Sequence, residues 1–217
     1  MGTPASSANH SRRRRLPAHS LGRLTLTLGA AALALSCATT PTGTHADVGL
    51  CNFDVVAAGI LYRGAQPEPS GYQELRKLGI RTVLNLRLEN DTQAREKAAV
   101  EAAGMRYRAL PMRGFGAPTE EQIRQALAVI DDPANQPVFV HCRRGADRTG
   151  TVVAAYEIRV RCVDNGQALR EAEEHGMSPL ELAMKRFVRA LAQPSSCSRT
   201  GATPAPGAPR TSPAYTP

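Results

Sequence analysis

Short apolar runs alternate with helical patterns through residues 53–191, and this alternation constrains the fold more than any other feature. Residues 82–86 read TVLNL, which is typical of a buried strand. Residues 138–140 form a continuous apolar run, as expected of a central strand covered on both faces. Between them, Thr119 and Gln122 have the spacing of a capping box before an amphipathic helix with the apolar residues Ile123, Ala126, Leu127 and Ile130. The pattern predicts an α/β domain with a mostly parallel central sheet and helices on both sides.

Weaker signals predict the remaining elements. Residues 53–62 indicate a short hairpin around a turn, and residues 105–110 indicate a strand. Ser70 is predicted to cap a helix that stops near Gly79. Two more helices are predicted at residues 91–103 and 149–161. A further pair follows, and the last helix is predicted to present one apolar stripe made of Leu180, Ala183, Met184, Phe187 and Leu191.

The basic charge of the chain lies mostly at its ends. The 217 residues have a net charge of +8, but five arginines precede residue 47. Residues 47–193 hold 20 basic and 19 acidic side chains, a net charge of +1. The chain also has no tryptophan and few other aromatic residues on which bases could stack. The charge pattern therefore predicts that nucleic acid is not a partner.

The first 46 residues resemble an export signal followed by a linker. Four consecutive arginines precede thirteen uncharged residues at positions 24–36, which is too short to cross a bilayer. The Ser36-Cys37 pair resembles a bacterial lipoprotein site, which would make Cys37 a lipid anchor, while residues 44–46 offer an ordinary signal-peptidase site. The leader predicts an exported protein, either periplasmic, secreted or anchored as a lipoprotein, without a transmembrane domain.

The chain is thus predicted to have one folded domain between two extensions. Residues 1–46 form the export signal and linker, and residues 47–193 form the domain. Residues 194–217 contain six prolines and hardly any large apolar side chain. Such a segment buries too little surface to order itself, which predicts a disordered tail.

Residues 141–150 read HCRRGADRTG and lie between the central strand and the next helix. Such an arch turns backbone N–H groups inward above a helix N-terminus and so forms an anion-binding nest. The same dipoles favour the thiolate form of Cys142, and Arg148 is placed to grip two phosphate oxygens. The arch is therefore predicted to be a phosphate-binding loop, whose substrate-binding residues are Arg143, Arg144, Gly145, Ala146 and Gly150.

The loop resembles the active-site loop of the cysteine-based protein tyrosine phosphatases, His-Cys-x5-Arg-Thr-Gly. The short domain resembles their dual-specificity branch. Upstream, residues 61–67 (LYRGAQP) and 83–87 (VLNLR) resemble bacterial, fungal and plant members of that branch. The resemblance covers nearly all of residues 50–192.

The resemblance implies a two-step phosphatase reaction. Cys142 would attack phosphorus to form a phosphocysteine that water hydrolyses, while Arg148 and the loop amides hold the phosphate oxygens. Thr149 would help the thiolate leave, and His141 would order the loop. The family uses no metal and no cofactor. The expected substrate is a phosphorylated protein or a small phosphorylated molecule, such as an inositol phosphate, and the protein is expected to be a monomer.

The general acid is where the chain departs from the family pattern. The family usually supplies an aspartate from a separate loop, here expected within residues 111–118, but PMRGFGAP contains no acid. Asp147, inside the arch, is the candidate general acid. Glu120 and Glu121 are alternatives, although the dipole of the first helical turn accounts for them without catalysis.

Two other activities and the state of three cysteines stay open in the sequence. A non-catalytic phosphate-binding module would also fit the missing loop aspartate. Sulfur transfer of the rhodanese type uses a cysteine after a strand as well, although the Arg148-Thr149 pair argues against it. Three cysteines of the core and tail remain: Cys51, Cys162 and Cys197. The sequence is equally consistent with a disulfide between two of them and with buried thiols.

Overall fold

A computed structural model describes residues 1–2, 45–89 and 91–197. Nearly all of the predicted leader and residues 198–217 of the predicted tail lie outside these ranges. A short 3-10 helix, Ala46–Val48, precedes the following elements: β1 (Asp54–Ala57), β2 (Leu61–Gly64), α1 (Gly71–Lys77), β3 (Thr82–Asn85), α2 (Asp91–Ala102), β4 (Arg106–Ala109), α3 (Glu120–Asp131), β5 (Val138–His141), α4 (Asp147–Arg159), α5 (Asn165–Glu174) and α6 (Leu182–Ala190). Within the described ranges, none of the helices has the length and apolar character needed to cross a membrane.

The five strands form one sheet in the order β1-β2-β5-β3-β4. Strands β1 and β2 form the antiparallel hairpin, and every other neighbouring pair is parallel. The apolar run at residues 138–140 makes β5 the central strand, and all four of its residues are buried. The predicted mostly parallel sheet is therefore confirmed.

Alternating side chains of the strands build a core on each face of the sheet. On one face, Val83 and Phe139 belong to the same core as residues of α1 and α2, namely Tyr72, Leu75 and Val100. On the other face, Leu84 and Val140 belong to a larger core with residues of the four remaining helices, among them Ile123, Val152, Leu169 and Val188. Helices cover both faces, as predicted, because the central strands are apolar on both sides.

One of the two predicted helix caps is present. Thr119 Oγ1 accepts a hydrogen bond from Gln122 N at 3.1 Å, and Gln122 Oε1 accepts one from Thr119 N at 3.0 Å. The capping box of α3 is therefore confirmed. The Ser70 cap is wrong, because Ser70 itself has helical backbone angles and its side chain caps no amide of α1. Its hydroxyl instead donates to Val48 O at 3.4 Å.

The last predicted stripe needs one correction. Leu180 is 78 % exposed and precedes α6, which begins at Leu182. The buried apolar residues of this region are Met184, Val188 and Leu191. The predicted helix starts too early, because Leu180 lies in the turn before α6 and not in the helix.

A disulfide joins the end of α4 to the start of the predicted tail. Cys162 and Cys197 are bonded, with Cα atoms 5.3 Å apart. Cys142 is the free cysteine of the described ranges. The first four residues of the predicted tail, 194–197, are thus tied to the domain.

Removing the Cys162–Cys197 disulfide is expected to destabilise the domain. The bond closes a loop with a sequence separation of 35 residues. Restricting a loop of this size in the unfolded chain contributes about 2–4 kcal/mol. The double variant Cys162→Ser with Cys197→Ser should lose about that much free energy of unfolding, measured by urea denaturation against the oxidised wild type. An unchanged midpoint would show that the bond does not constrain the unfolded chain.

Candidate active site

The candidate site lies where β5 ends and α4 begins, at the carboxyl ends of the parallel strands. Five residues, 142–146, connect His141 to Asp147. Ligands of such sheets bind in this position. Cys142 is 2 % exposed and lines a pocket of about 250 Å³ together with Arg148. Gly114 and Phe115, from the segment in which the family places its acidic loop, line the same pocket.

Three donors hold successive carbonyl groups of the loop away from the pocket. Arg63 Nη2 donates to Gly145 O at 2.7 Å. Asn52 Nδ2 donates to Arg144 O at 3.0 Å, and Gln66 N donates to Arg143 O at 3.3 Å. Because the carbonyl and the N–H of a trans peptide point in opposite directions, the amides of residues 144–146 point inward.

The inward amides form an anion-binding nest. Within the described part of the chain, no acceptor bonds the N–H groups of residues 143–146. The N-terminus of α4 follows directly and adds the positive end of its dipole. The loop thus has the phosphate-binding geometry that the sequence predicts, directly beside the Cys142 thiol.

Two glycines of the loop motif have different roles. Gly145 has φ +72°, and a Cβ there would lie 2.4 Å from the carbonyl carbon of Gly64. Only glycine fits this position, because both the backbone conformation and the close approach to β2 exclude a side chain. Gly150 was predicted to bind substrate, and this stays a prediction; its N–H donates to Ala146 O at 2.7 Å at the start of α4. Its missing side chain also lets α5 approach, since a Cβ would lie 3.2 Å from that of Ala172.

Arg148 projects from the first turn of α4 into the pocket. Its Nη1 donates to Leu86 O and Met112 O, both at 3.4 Å. These carbonyls belong to the segments after β3 and β4, so the guanidinium bridges the ends of neighbouring strands. The remaining nitrogens have no partner among the described residues and are available for the two oxygens of a phosphate.

Buried polar residues support the loop from below. His141 Nδ1 lies 3.2 Å from Cys142 O, and His141 Nε2 lies 2.9 Å from Glu96 Oε1. Both side chains are almost completely buried. His141 therefore links the nucleophile's backbone to α2, which is the arrangement expected of a loop-ordering residue.

Glu96 is a part of the site that sequence reasoning missed. Besides His141, its carboxylate accepts hydrogen bonds from Asn85 Nδ2, from Gln66 Nε2 at 2.7 Å and from Tyr72 Oη at 3.3 Å. Burial alone would raise the pKa of Glu96, but the charge of His141 and the donated hydrogen bonds lower that pKa below its ordinary value of 4.5. A hydrophilic alanine-rich helix gives no signal that marks one glutamate as buried.

Glu96→Gln is expected to destabilise the protein and to flatten its acid denaturation. A carboxyl whose pKa is lower in the folded than in the unfolded state stabilises the fold at pH values above its ordinary pKa of 4.5. This stabilisation is lost as the pH falls through the folded-state pKa. Because glutamine cannot accept all of these hydrogen bonds, we expect a loss of about 1–3 kcal/mol at neutral pH. Urea denaturation from pH 7 to pH 3 measures both effects. An equal pH dependence in the variant and the wild type would contradict this account.

The acidic candidates named by the sequence lie in different surroundings. Asp147 lines the pocket, but Oδ1 accepts from Ser178 N at 2.8 Å and Oδ2 from Arg144 Nη2 at 2.6 Å. Both of its oxygens are thus engaged as acceptors, and its role as general acid stays a prediction. At the start of α3, Glu120 pairs with Arg159 and Glu121 pairs with Arg124, and neither glutamate lines the pocket.

The other residues of the motif are also in place around the nucleophile. Arg143 and Arg144 line the pocket and are exposed, and Ala146 is buried at the start of α4. The Thr149 hydroxyl is buried and has no hydrogen-bond partner in the ranges that the structure describes. Its action beside the departing thiolate stays a prediction. Among the described residues, no group of three or more His, Cys, Asp or Glu side chains is arranged to hold a metal ion.

Comparison with known proteins agrees with this site. Residues 51–190 match the family model described as DSP-PTPase phosphatase fused to NAD+ kinase. The chain is 38 % identical over 106 residues to inositol diphosphatase DSP1 of Oryza sativa subsp. japonica, covering 47 % of each protein. It is 28 % identical over 116 residues to the dual specificity protein phosphatase TpbA of Pseudomonas aeruginosa, covering 54 % of this chain and 51 % of TpbA. The matches thus span about half the length of these relatives.

Solved structures show the same fold. The catalytic core of the PP-IP phosphatase SIW14 from S. cerevisiae, in complex with citrate, has a TM-score of 0.58 at 22 % identity, covering 65 % of this chain and 85 % of that one. TpbA of P. aeruginosa in complex with pTyr has a TM-score of 0.55 at 22 % identity, covering 68 % of this chain and 92 % of that one. Since the family model matches most of the folded domain, the chain belongs to the DSP-PTPase family, within the dual-specificity-like branch of the cysteine-based protein tyrosine phosphatases.

Proposed function

We propose that this chain hydrolyses phosphomonoesters through a phosphocysteine intermediate formed on Cys142. The observation that carries the proposal is one arrangement: a buried thiol lines the same pocket as Arg148 and lies beside inward-pointing amides at a helix N-terminus. An anion held by these groups places its central atom next to the sulfur. In the mechanism that the family membership supports, the Cys142 thiolate attacks phosphorus, the ester P–O bond breaks, and water then cleaves the S–P bond.

The surrounding residues are assigned to stabilise these steps. Arg148 and the amides of residues 144–146 hold the equatorial oxygens as charge redistributes in the transition state. His141, fixed by Glu96, keeps the loop in the geometry that points the amides inward. Thr149 is proposed to assist the departing thiolate in the second step.

Turnover of p-nitrophenyl phosphate by the full chain tests the proposal. We expect saturable release of p-nitrophenolate that inorganic phosphate inhibits, because the product anion competes for the same nest. Phosphate binding without turnover would identify a non-catalytic phosphate-binding module. Sulfur transfer from thiosulfate to cyanide without ester hydrolysis would identify a rhodanese-type activity. Either result would overturn the proposed function.

The proposed natural substrate is a protein phosphorylated on tyrosine, or on serine or threonine as well. An inositol phosphate is a second candidate, hydrolysed by the same mechanism. Two exposed arginines at the pocket, Arg143 and Arg144, favour a substrate with several negative charges. One relative is named an inositol diphosphatase, and another a dual specificity protein phosphatase. Comparing kcat/KM for phosphotyrosine peptides, inositol phosphates, inositol diphosphates and phosphoinositides decides between these classes.

The protein is also proposed to be exported. The leader supports this assignment, and so does the Cys162–Cys197 disulfide, because disulfides persist in oxidising compartments. Mass spectrometry of the N-terminus of the cell-derived protein tests it. A lipidated Cys37 or a start just after Ala46 is the expected result, and an intact leader on protein retained in the cytoplasm would contradict it.

A further inference from the structure

A second carboxyl group lies in the pocket, from a residue that the sequence pattern does not single out. Glu181 precedes α6 and lines the pocket that contains Cys142 and Arg148. It is only 3 % exposed, although charged side chains are rarely this buried unless they are paired. Because Glu181 follows Cys142 by 39 residues, no local sequence motif shows that the two residues line the same pocket.

The loop motif itself holds the segment that carries Glu181. Asp147 Oδ1 accepts a hydrogen bond from Ser178 N at 2.8 Å, and Glu181 N donates to Ser178 O at 3.1 Å. Met177 packs against the helix that follows the loop, since a Cβ on Gly150 would lie 3.2 Å from its Cε. The turn before α6 is therefore anchored to the start of α4, which fixes Glu181 beside the phosphate-binding loop.

The side chain of Glu181 has no partner among the residues that the structure describes. Within the ranges that the structure describes, it forms no hydrogen bond or ion pair, and it does not cap α6. A carboxyl that lines the pocket and is not held by other donors is available to a substrate. Asp147 differs, because Ser178 N and Arg144 occupy both of its oxygens.

The rest of the pocket lacks another acid. Residues 111–118, which supply Gly114 and Phe115 to the wall, contain no carboxyl group. The two acidic side chains that line the pocket are Asp147 and Glu181. The one that is not already held by other donors is Glu181, and a general acid needs a carboxyl that is available to the substrate.

We propose that Glu181 is the general acid and base of the reaction; the assignment rests on the proposed function and names the missing proton donor. In the first step, the Cys142 sulfur forms the S–P bond with its electron pair. The ester P–O bond breaks, its electron pair stays on the leaving oxygen, and that oxygen takes the proton of the Glu181 carboxyl. In the second step, the Glu181 carboxylate takes a proton from water. The water oxygen attacks phosphorus, and the S–P electron pair returns to sulfur.

The leaving-group dependence of Glu181→Gln tests this assignment in the full chain. Phenyl phosphate expels a strongly basic phenolate, which needs protonation, whereas p-nitrophenolate leaves readily without it. We expect kcat/KM, which reports the first step alone, to fall by about 10²–10⁴-fold for phenyl phosphate and far less for p-nitrophenyl phosphate.

Two variants serve as comparisons. Glu174→Gln makes the same substitution at an exposed position on α5 that does not line the pocket, and it should retain the wild-type rates. Asp147→Asn tests the competing candidate. Its Oδ1 can still accept from Ser178 N, but its Nδ2 cannot accept from Arg144, so it should lower kcat/KM for both esters by a similar factor through the phosphate-binding loop. A leaving-group effect in Asp147→Asn and none in Glu181→Gln would overturn the proposal in favour of Asp147.

The remaining outcomes are also decisive. In folded Glu181→Gln, an equal loss of kcat/KM on both esters, or no loss, would overturn the proposal. The activity of the wild type would still support the proposed function. An inert wild type would instead overturn the proposed function. If the glutamine variant does not fold, Glu181→Asp replaces it: the displaced carboxyl must slow phenyl phosphate more than p-nitrophenyl phosphate, and equal effects would overturn the assignment.

Discussion

Cys142→Ser should lower turnover of p-nitrophenyl phosphate by at least about 10⁴-fold. Catalytic residues act together, so removing the nucleophile removes nearly all of the rate acceleration that they provide. A serine hydroxyl is not ionised near neutral pH, even beside the amides of residues 144–146. The substitution replaces one buried atom by a slightly smaller one, so the fold should be retained. The measurement is the steady-state rate with purified wild type and variant.

Phosphate binding provides the control for this variant. The carbonyls of the loop remain held by Asn52, Arg63 and Gln66, none of which the substitution changes. Titration with inorganic phosphate should therefore show that Cys142→Ser keeps its anion site. A variant that binds phosphate and still turns over at more than a tenth of the wild-type rate would contradict the role of Cys142.

Arg148→Lys should have the second-largest effect, a decrease in kcat of about 10²–10³-fold. Lysine keeps the positive charge but cannot offer two parallel N–H groups to a phosphate. It also cannot bridge Leu86 O and Met112 O while reaching into the pocket. Both of those hydrogen bonds are long at 3.4 Å, so we expect only a small change in Tm.

The matched control is Arg170→Lys, the same substitution at an exposed position on α5. It should leave kcat and KM unchanged. If Arg148→Lys retained the wild-type kcat and raised KM alone, Arg148 would bind substrate and transition state equally, and its assigned role in the transition state would be wrong.

The sheet and the phosphate-binding loop were predictable because their signals are local. A continuous apolar run marked β5 as central, and the capping box of Thr119 and Gln122 marked the start of α3. The spacing of Cys142 and Arg148 fixed the arch between them. In each case, residues close in the sequence determine the geometry through backbone hydrogen bonds and helical periodicity.

The supporting residues were not predictable, since their partners are distant in the sequence. Arg63 contacts Gly145 across 82 residues, and its burial on β2 contradicts the usual preference of arginine for the surface. Glu96 is one of three acidic residues of α2, and Glu181 precedes α6 outside any motif. The resemblance at residues 61–67 includes Arg63 but not its role, because only the folded sheet brings these residues to the loop.

Some local signals have more than one structural use. Ser70 has the residue type of a helix cap, yet its own backbone is helical and its hydroxyl bonds Val48. Gly150 belongs to the motif, yet its amide is used inside α4 and its small size serves helix packing. Sequence alone does not separate these uses, because the deciding contacts are made by other elements.

Trapping the covalent intermediate tests the central claim most directly. The full chain is mixed with p-nitrophenyl phosphate, quenched with acid within the first turnovers, digested and examined by mass spectrometry. The account predicts a single phosphoryl group on the sulfur of Cys142, absent in Cys142→Ser and absent without substrate. Turnover with the phosphoryl group on another residue, or with no phosphorylated enzyme at any time, would contradict the account.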